Sequence, residues 1–257
     1  MAAISISGLT ARFGSVLAVD DLSVDIEEGE FVSVVGPSGC GKTTVLNILT
    51  GLVPLVEGQV ALRGRTPVLG NPDVAYMLAR DSLLPWRSAL DNAGYGMEIR
   101  GVPEAARHAR ACELLERVGL KGFEQHYPKM LSHGMRQRCA LARTFCLDAP
   151  VMLMDEPFGA LDAQTKLQLE DLLLQLWTEH RRTVVFITHD LAEAVALSDR
   201  VLVMSARPGR IVADMRIPLA RPRSVRALQK DRHFLEIYAE VWTKLEEGLG
   251  PVPSHAV

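Results

Sequence analysis

No apolar run in this chain is longer than a strand requires, so the sequence offers no membrane-spanning helix. Its N-terminus lacks the charged and apolar regions of a secretory signal. The four cysteines, Cys40, Cys112, Cys139 and Cys146, form no C-x-x-C pair. Without a secretory signal they are expected to be free thiols of a reducing, cytosolic compartment. A surplus of one charge is also missing: the net charge is −3 over 257 residues, which argues against a nucleic-acid partner. There is no internal repeat and no low-complexity tract. What is present is hydrophobic substance, 48% of the residues, enough to bury the core of one large soluble domain or of a core with a subdomain.

Residues 36–44 are the most informative stretch. Gly36-Pro37-Ser38-Gly39-Cys40-Gly41-Lys42-Thr43-Thr44 fits G-x-x-x-x-G-K-[ST], a phosphate-binding loop. The apolar, β-branched run 31–35 before it reads as a buried strand, and 42–50 reads as the start of a helix. That order gathers backbone N–H groups around an anion at a helix N-terminus. Glycine at 36, 39 and 41 lets the backbone approach phosphates without a Cβ in the way. In this frame Lys42 neutralises β/γ-phosphate charge and the Thr43 hydroxyl holds Mg²⁺. Cys40 inside the loop is either a small tolerated side chain or a redox-sensitive thiol.

Residues 4–8 and 22–26 alternate apolar and polar and read as antiparallel strands, with a turn at 27–30. Another strand is expected at 60–62. Residues 81–130 read as a helical insertion, in which 104–118 place Ala105, Ala109, Cys112, Leu115 and Val118 on one face. The compact apolar runs 151–154 and 183–187 suit central parallel strands, with a helix from 163 to 179 between them. Residues 201–204 and 210–215, around Pro208-Gly209, read as a hairpin. The C-terminal part carries a basic run, Arg216, Arg221, Arg223, Arg226, Lys230 and Arg232. A helix over 224–247 follows, with Phe234, Tyr238, Val241, Trp242 and Leu245 at helical spacing. The basic run reads as a solvated face, or as a contact for anionic lipid or a partner subunit.

Asp155 and Glu156 directly follow the 151–154 strand. A carboxylate pair at the end of a strand neighbouring a phosphate loop suits Mg²⁺ binding through water by Asp155 and polarisation of an attacking water by Glu156. His189 follows the 183–187 strand, where it can contact a γ-phosphate. Ser132 can cap the helix that runs to about 147, leaving free N–H groups aimed at an anion.

Taken together, residues 36–44, 131–135 (Leu-Ser-His-Gly-Met), 151–156, 159–162 (Gly-Ala-Leu-Asp) and His189 resemble, in order, the Walker A loop, signature, Walker B, D-loop and switch histidine of the nucleotide-binding subunits of ATP-binding cassette (ABC) transporters. The resemblance spans about 4–215. It implies an α/β fold: a P-loop NTPase core of mostly parallel sheet, an antiparallel β subdomain, and an α-helical subdomain inserted at about 81–147. Beyond it come a basic helical extension over 216–247 and a tail, 248–257, expected to be disordered. The resemblance also implies ATP and Mg²⁺ as cofactors and an ATPase activity. Phe13 would stack on adenine, the alternative being a Phe packed in the core. Ser132 and Gly134 would bind the γ-phosphate of ATP held by a second cassette, and Asp162 would lie across that interface. The implied assembly is a head-to-tail pair, with a second copy or a paralogue, that drives integral membrane permease subunits at the cytoplasmic face of the inner membrane. A solute-binding protein takes part indirectly.

The segment 81–86 (Asp-Ser-Leu-Leu-Pro-Trp), with Arg207-Pro208-Gly209-Arg210 and the Leu-Ser-x-Gly-Met form of the signature, is similar to the importers for nitrate, sulfonates, taurine and related small anions or amine precursors. In that group the segment around Trp86 lies near the permease's coupling helix; the alternative is a Trp closing the helical subdomain's own core. Two positions depart from the family. Ala79 stands where the family has the Q-loop glutamine, and His133 replaces the first signature glycine. Three consequences stand side by side: water and neighbours replace the lost ligand, or Arg80 or Asp81 reaches the site in a slower enzyme, or the site is impaired. The competing functions are a soluble non-transport ABC ATPase, an exporter's ATPase domain and a regulatory nucleotide-binding subunit.

Overall fold

A computed structural model of the chain describes residues 2–55 and 57–249. In chain order its elements are β1 (Ala2–Phe13), β2 (Val16–Glu27), β3 (Phe31–Val35), α1 (Lys42–Leu49), β4 (Glu57–Leu62), β5 (Val74–Met77), α2 (Ala89–Ile99), α3 (Glu104–Arg117), a 3₁₀ turn (Pro128–Met130), α4 (His133–Cys146), β6 (Val151–Asp155), α5 (Ala163–His180), β7 (Thr183–Ile187), α6 (Leu191–Leu197), β8 (Arg200–Met204), β9 (Ile211–Arg216), α7 (Val225–Leu228) and α8 (Arg232–Leu249). They fall into two compact units, Met1–Asn71 with Arg181–Val257, and Pro72–His180.

In the first unit β1 and β2 pair antiparallel (Ile4↔Ile26, Ile6↔Val24), and β4 adds to the other edge of β1. The pleat sends Ile4, Ile6, Leu22, Ile26, Val60 and Leu62 into the core. Every residue of β3 is buried, and parallel strands flank it on both edges: β7 (Val34↔Ile187) and β8 (Val34↔Leu202). β9 pairs antiparallel with β8, completing the expected hairpin. In the second unit β5 and β6 pair parallel, and α2 packs on α3 and α4. The expected α/β class, with parallel strands, an antiparallel sheet and a helical region, is what the chain adopts.

Some local expectations need correction. α3 buries Ala111, Leu114 and Leu115, whereas Ala105, Ala109 and Cys112 are exposed. The two leucines set the face because burying a leucine stabilises far more than burying an alanine. The C-terminal helix is interrupted at 229–231, giving α7 and α8. α8 buries Phe234, Ile237 and Val241, while Trp242 is 46% exposed and stacks on Tyr238 at 6.5 Å. The basic run is not one solvated face. Arg221 donates to the Leu197 carbonyl at 2.7 Å and to Asp199 at 2.8 Å, and Arg223 donates to the Ser198 carbonyl at 2.7 Å. Both satisfy the unpaired carbonyls at the C-terminal end of α6. Burial, and then the neighbouring charge of Arg221, pushes Arg223 down to about 10. Of the residues expected to form a disordered tail, Gly248 and Leu249 end α8, and 250–257 lie outside the described residues.

Candidate active site

In the first unit, the loop 36–41 leaves the C-terminal end of β3 and enters α1 with Gly41 as the N-cap. No side chain caps this helix and no acidic residue lies in its first turn. Its first N–H groups therefore have no partner within the helix and face a field that favours an anion. Lys42 is buried, and its ammonium donates to the carbonyls of Gly36 at 2.8 Å and Pro37 at 3.0 Å. The cation is thereby held against the loop itself. Ser38, Gly39 and Thr43 are exposed, Pro37 and Thr44 partly so, and Cys40 is buried. Glycine is needed here for more than the approach of phosphate. Gly41 has φ 103°, and a Cβ there would sit 2.7 Å from Val19 Cγ2; one on Gly36 would sit 2.8 Å from the Met204 carbonyl oxygen. The loop is packed onto its own neighbours, a constraint the motif alone does not reveal.

β7 runs parallel to β3, and Thr188 N donates to the Val34 carbonyl at 3.3 Å, so His189 emerges beside the start of the phosphate loop. The C-terminal edge of parallel strands is where α/β folds bind ligands. The imidazole is exposed, but its backbone is fixed on both sides. Asp190 caps α6 by accepting from Ala192 N at 2.8 Å, and Thr188 Oγ1 accepts from Asp190 N at 2.9 Å and donates to the buried Glu193 carboxylate. Phe13 closes β1 at the hairpin tip, 48% exposed, outside the core.

In the second unit, Asp155 ends β6, buried to 7% exposure. Tyr76 on the adjacent strand β5 is pushed up to about 12, first by its burial and then by the Asp155 charge. Glu156 has φ 44°, a left-handed conformation that is strained for a glutamate and redirects its side chain as the strand ends. Asp162 accepts from Thr165 N at 3.0 Å at the start of α5, and these backbone bonds hold its carboxyl below the usual range.

Ser132 caps α4, accepting from Met135 N at 3.2 Å. Gly134 lies against α5: a Cβ there would sit 2.9 Å from Thr165 Cγ2, so Gly134 and the Asp162 turn are neighbours. His133 opens α4 with Nδ1 accepting from Arg136 at 3.2 Å, since a guanidinium can only donate; its Nε2 is buried without a hydrogen-bond partner. Arg136 also donates to Asp81 Oδ2 at 2.8 Å, and Arg143 donates to the Asp81 and Ser82 carbonyls at 2.8 Å each. The loop carrying Ala79 is thus tied to the helix carrying the signature residues. Asp81, one candidate to replace the missing glutamine, has its oxygens on Arg136 Nε and, at 3.4 Å, on Leu83 N.

Trp86 is 71% exposed, which removes the reading in which it closes a core. It is presented by a stiff turn. The fully buried Asn92 of α2 accepts from Leu84 N at 2.7 Å and donates to the carbonyls of Leu84, Arg87 and Ser88 at 2.9–3.1 Å. The sequence reading passed over Asn92, Tyr76 and Arg136. Only Arg136, between two signature-helix residues, had a local signal.

The family model described as "ABC transporter" matches residues 19–159, more than half of the chain. An uncharacterized ABC transporter ATP-binding protein of Methanocaldococcus jannaschii is 44% identical over 90% of this chain and 85% of its own length. The taurine import ATP-binding protein TauB of Rhizobium johnstonii is 43% identical over 90% of each chain, and TauB of Shigella flexneri is 38% identical over 95% of this chain and 97% of its own. Among solved structures, a dimeric ATP-binding cassette in a post-hydrolysis state with ADP and Pi superposes with a TM-score of 0.74 at 29% identity. That match covers 84% of this chain and all of the other. The chain belongs to the ABC transporter family, as an ATP-binding cassette.

Proposed function

We propose that this chain is the energising subunit of an ABC importer, hydrolysing ATP to drive a membrane permease that takes up a small solute of the nitrate, sulfonate or taurine type. The observation that carries the ATP site is the uncapped N-terminus of α1, with Gly41 at its start and the Lys42 ammonium held against the loop. A polyphosphate fits such a donor set, because backbone N–H groups, helix dipole and cation all favour negative charge. Thr43 and Asp155 would be the oxygen ligands of Mg²⁺, and the ion would neutralise phosphate charge. Glu156 polarises the attacking water and takes its proton, Lys42 stabilises the phosphates, and His189 contacts the γ-phosphate. Phe13 stacks on adenine, and residues 36–44 cradle the phosphates.

Ser132, Gly134 and Asp162 act on nucleotide held by a second cassette, so the working unit is a head-to-tail pair. The N-terminus of α4, capped by the exposed Ser132, supports that reading, as does the dimeric state of the solved relative. The solute class rests on the TauB relatives and on Trp86, whose exposed indole suits an apolar permease contact at the cytoplasmic membrane face. A second reading, a regulatory nucleotide-binding subunit, is favoured by Ala79 and by the His133 imidazole at the start of α4.

Dimerisation is tested with Glu156→Gln, which retains binding but stalls hydrolysis. Light scattering should report a doubling of mass in ATP and none in ADP. A monomer under both conditions contradicts the paired site.

A further inference from the structure

Residues 205–210 connect β8 to β9 and pass behind the phosphate loop. They are anchored at several points. Arg210 N donates to Ser205 Oγ at 3.0 Å, Gly209 N donates to the Ala18 carbonyl at 3.0 Å, and Asp20 N donates to the Gly209 carbonyl at 3.0 Å. The Arg210 guanidinium pairs with Asp20 on β2, its Nε 3.1 Å from Oδ2. Ala206 N donates to the carbonyl of Gly248, at the end of α8, at 3.3 Å. The connection is pressed against the loop so closely that a Cβ on Gly209 would lie 1.9 Å from the Cys40 carbonyl oxygen.

From this braced connection Arg207 reaches over the loop, and its Nε donates to the Gly39 carbonyl at 3.1 Å. The Gly39 carbonyl and the Cys40 N–H belong to one peptide plane, and planarity makes them move together. Cys40 N in turn donates to the Pro37 carbonyl at 3.3 Å, closing the turn 37–40 from inside. The same peptide is therefore held from outside by Arg207 and from inside by Pro37. Gly39 has φ 76°, and a glycine turn of this kind gains most from such a restraint, having the most backbone freedom to lose on ordering.

We propose that Arg207 is a positioning residue for nucleotide binding: through its hydrogen bond to Gly39 it keeps the phosphate loop in its binding geometry before the ligand arrives, and α8 braces it through Ala206. This rests on the reading of residues 36–44 as the nucleotide site. The role belongs to the Nε donor rather than to the charge, and that distinction can be measured. In Arg207→Gln the side-chain amide nitrogen stands the same number of bonds from the backbone as the arginine Nε, so the donor remains while the charge is lost. Arg207→Ala and Arg207→Met lack the donor, and Met retains the apolar stem.

The test is isothermal titration of Mg-ATP and Mg-ADP into the full chain, with Lys42→Ala as a reference and a melting curve for every variant. Arg207→Ala and Arg207→Met should bind about tenfold more weakly at an unchanged Tm, the scale of one lost hydrogen bond to a charged group. Arg207→Gln should stay within about threefold of the parent. Met guards against an Ala variant that fails to fold. Wild-type affinity in Ala and Met overturns the proposal, and so does an equal loss in Ala, Met and Gln, which would mean that charge acts alone. If the parent does not bind nucleotide, or Lys42→Ala binds as well as the parent, the nucleotide site itself is misassigned. If Lys42→Ala loses binding while Arg207→Ala and Arg207→Met do not, only the role of Arg207 fails.

Discussion

Cys139 and Cys146 sit in the buried face of α4, and burial pushes both thiols up to about 12. A raised value keeps the thiol protonated at pH 8, whereas the thiolate is the reactive form. Cys40 is 1% exposed, and Cys112 alone among the four is exposed. One equivalent of thiol should therefore react promptly with an aromatic disulfide reagent at pH 8, and four after denaturation; two or more fast equivalents in the native protein would contradict the burial of α4 and of the loop. The exposure of Cys112 was not legible in the sequence, because helical spacing weighs alanine, cysteine and leucine alike whereas packing does not. Lys42, Thr43 and Asp155 were legible, since motif and flanking strands coincide there. The left-handed Glu156 was not, because its strain comes from the way β6 ends rather than from residue preference.

At the scale of elements, side chains that hold loop backbones decide where the site residues point. Asn92 spends its amide on four backbone groups of the 84–88 turn, inside a fully buried environment. Asn92→Leu removes the partner of Leu84 N and of the Arg87 carbonyl, while the Leu84 and Ser88 carbonyls keep their bonds from Arg87 N and from the backbone N–H of residue 92, and should cost about 2–4 kcal/mol. A scanning calorimeter should record a Tm several degrees lower, about 2–4 °C per kcal/mol for a chain of this size; an unchanged Tm would show that the turn finds other partners. Arg221 and Arg223 do the same for the end of α6, whose N-cap Asp190 directly follows His189. Strands β3, β6 and β7 were readable because five buried residues, four of them apolar, have few alternatives. Strand β5 (Val74–Met77) and helix α6 (Leu191–Leu197) escaped the sequence reading: one is four residues long, the other seven. Periodicity has too few residues to act on at those lengths.

Over the whole chain, no helix among the described residues is long and apolar enough to cross a membrane. Trp86, Leu78 and Met130 are exposed and place apolar area on the surface of the second unit. The family was legible in the order of five short motifs; the ties that fix them, Arg136 to Asp81 and Arg207 to Gly39, join residues 55 and 168 positions apart and leave no local pattern. The central claim is that the chain is a working motor despite Ala79 and His133. Its most direct test is steady-state Mg-ATPase activity of the purified chain, with and without its permease, beside Glu156→Gln. Turnover in the parent that disappears in Glu156→Gln is the expected result. Nucleotide binding without turnover in either protein would contradict it and assign the chain a regulatory role.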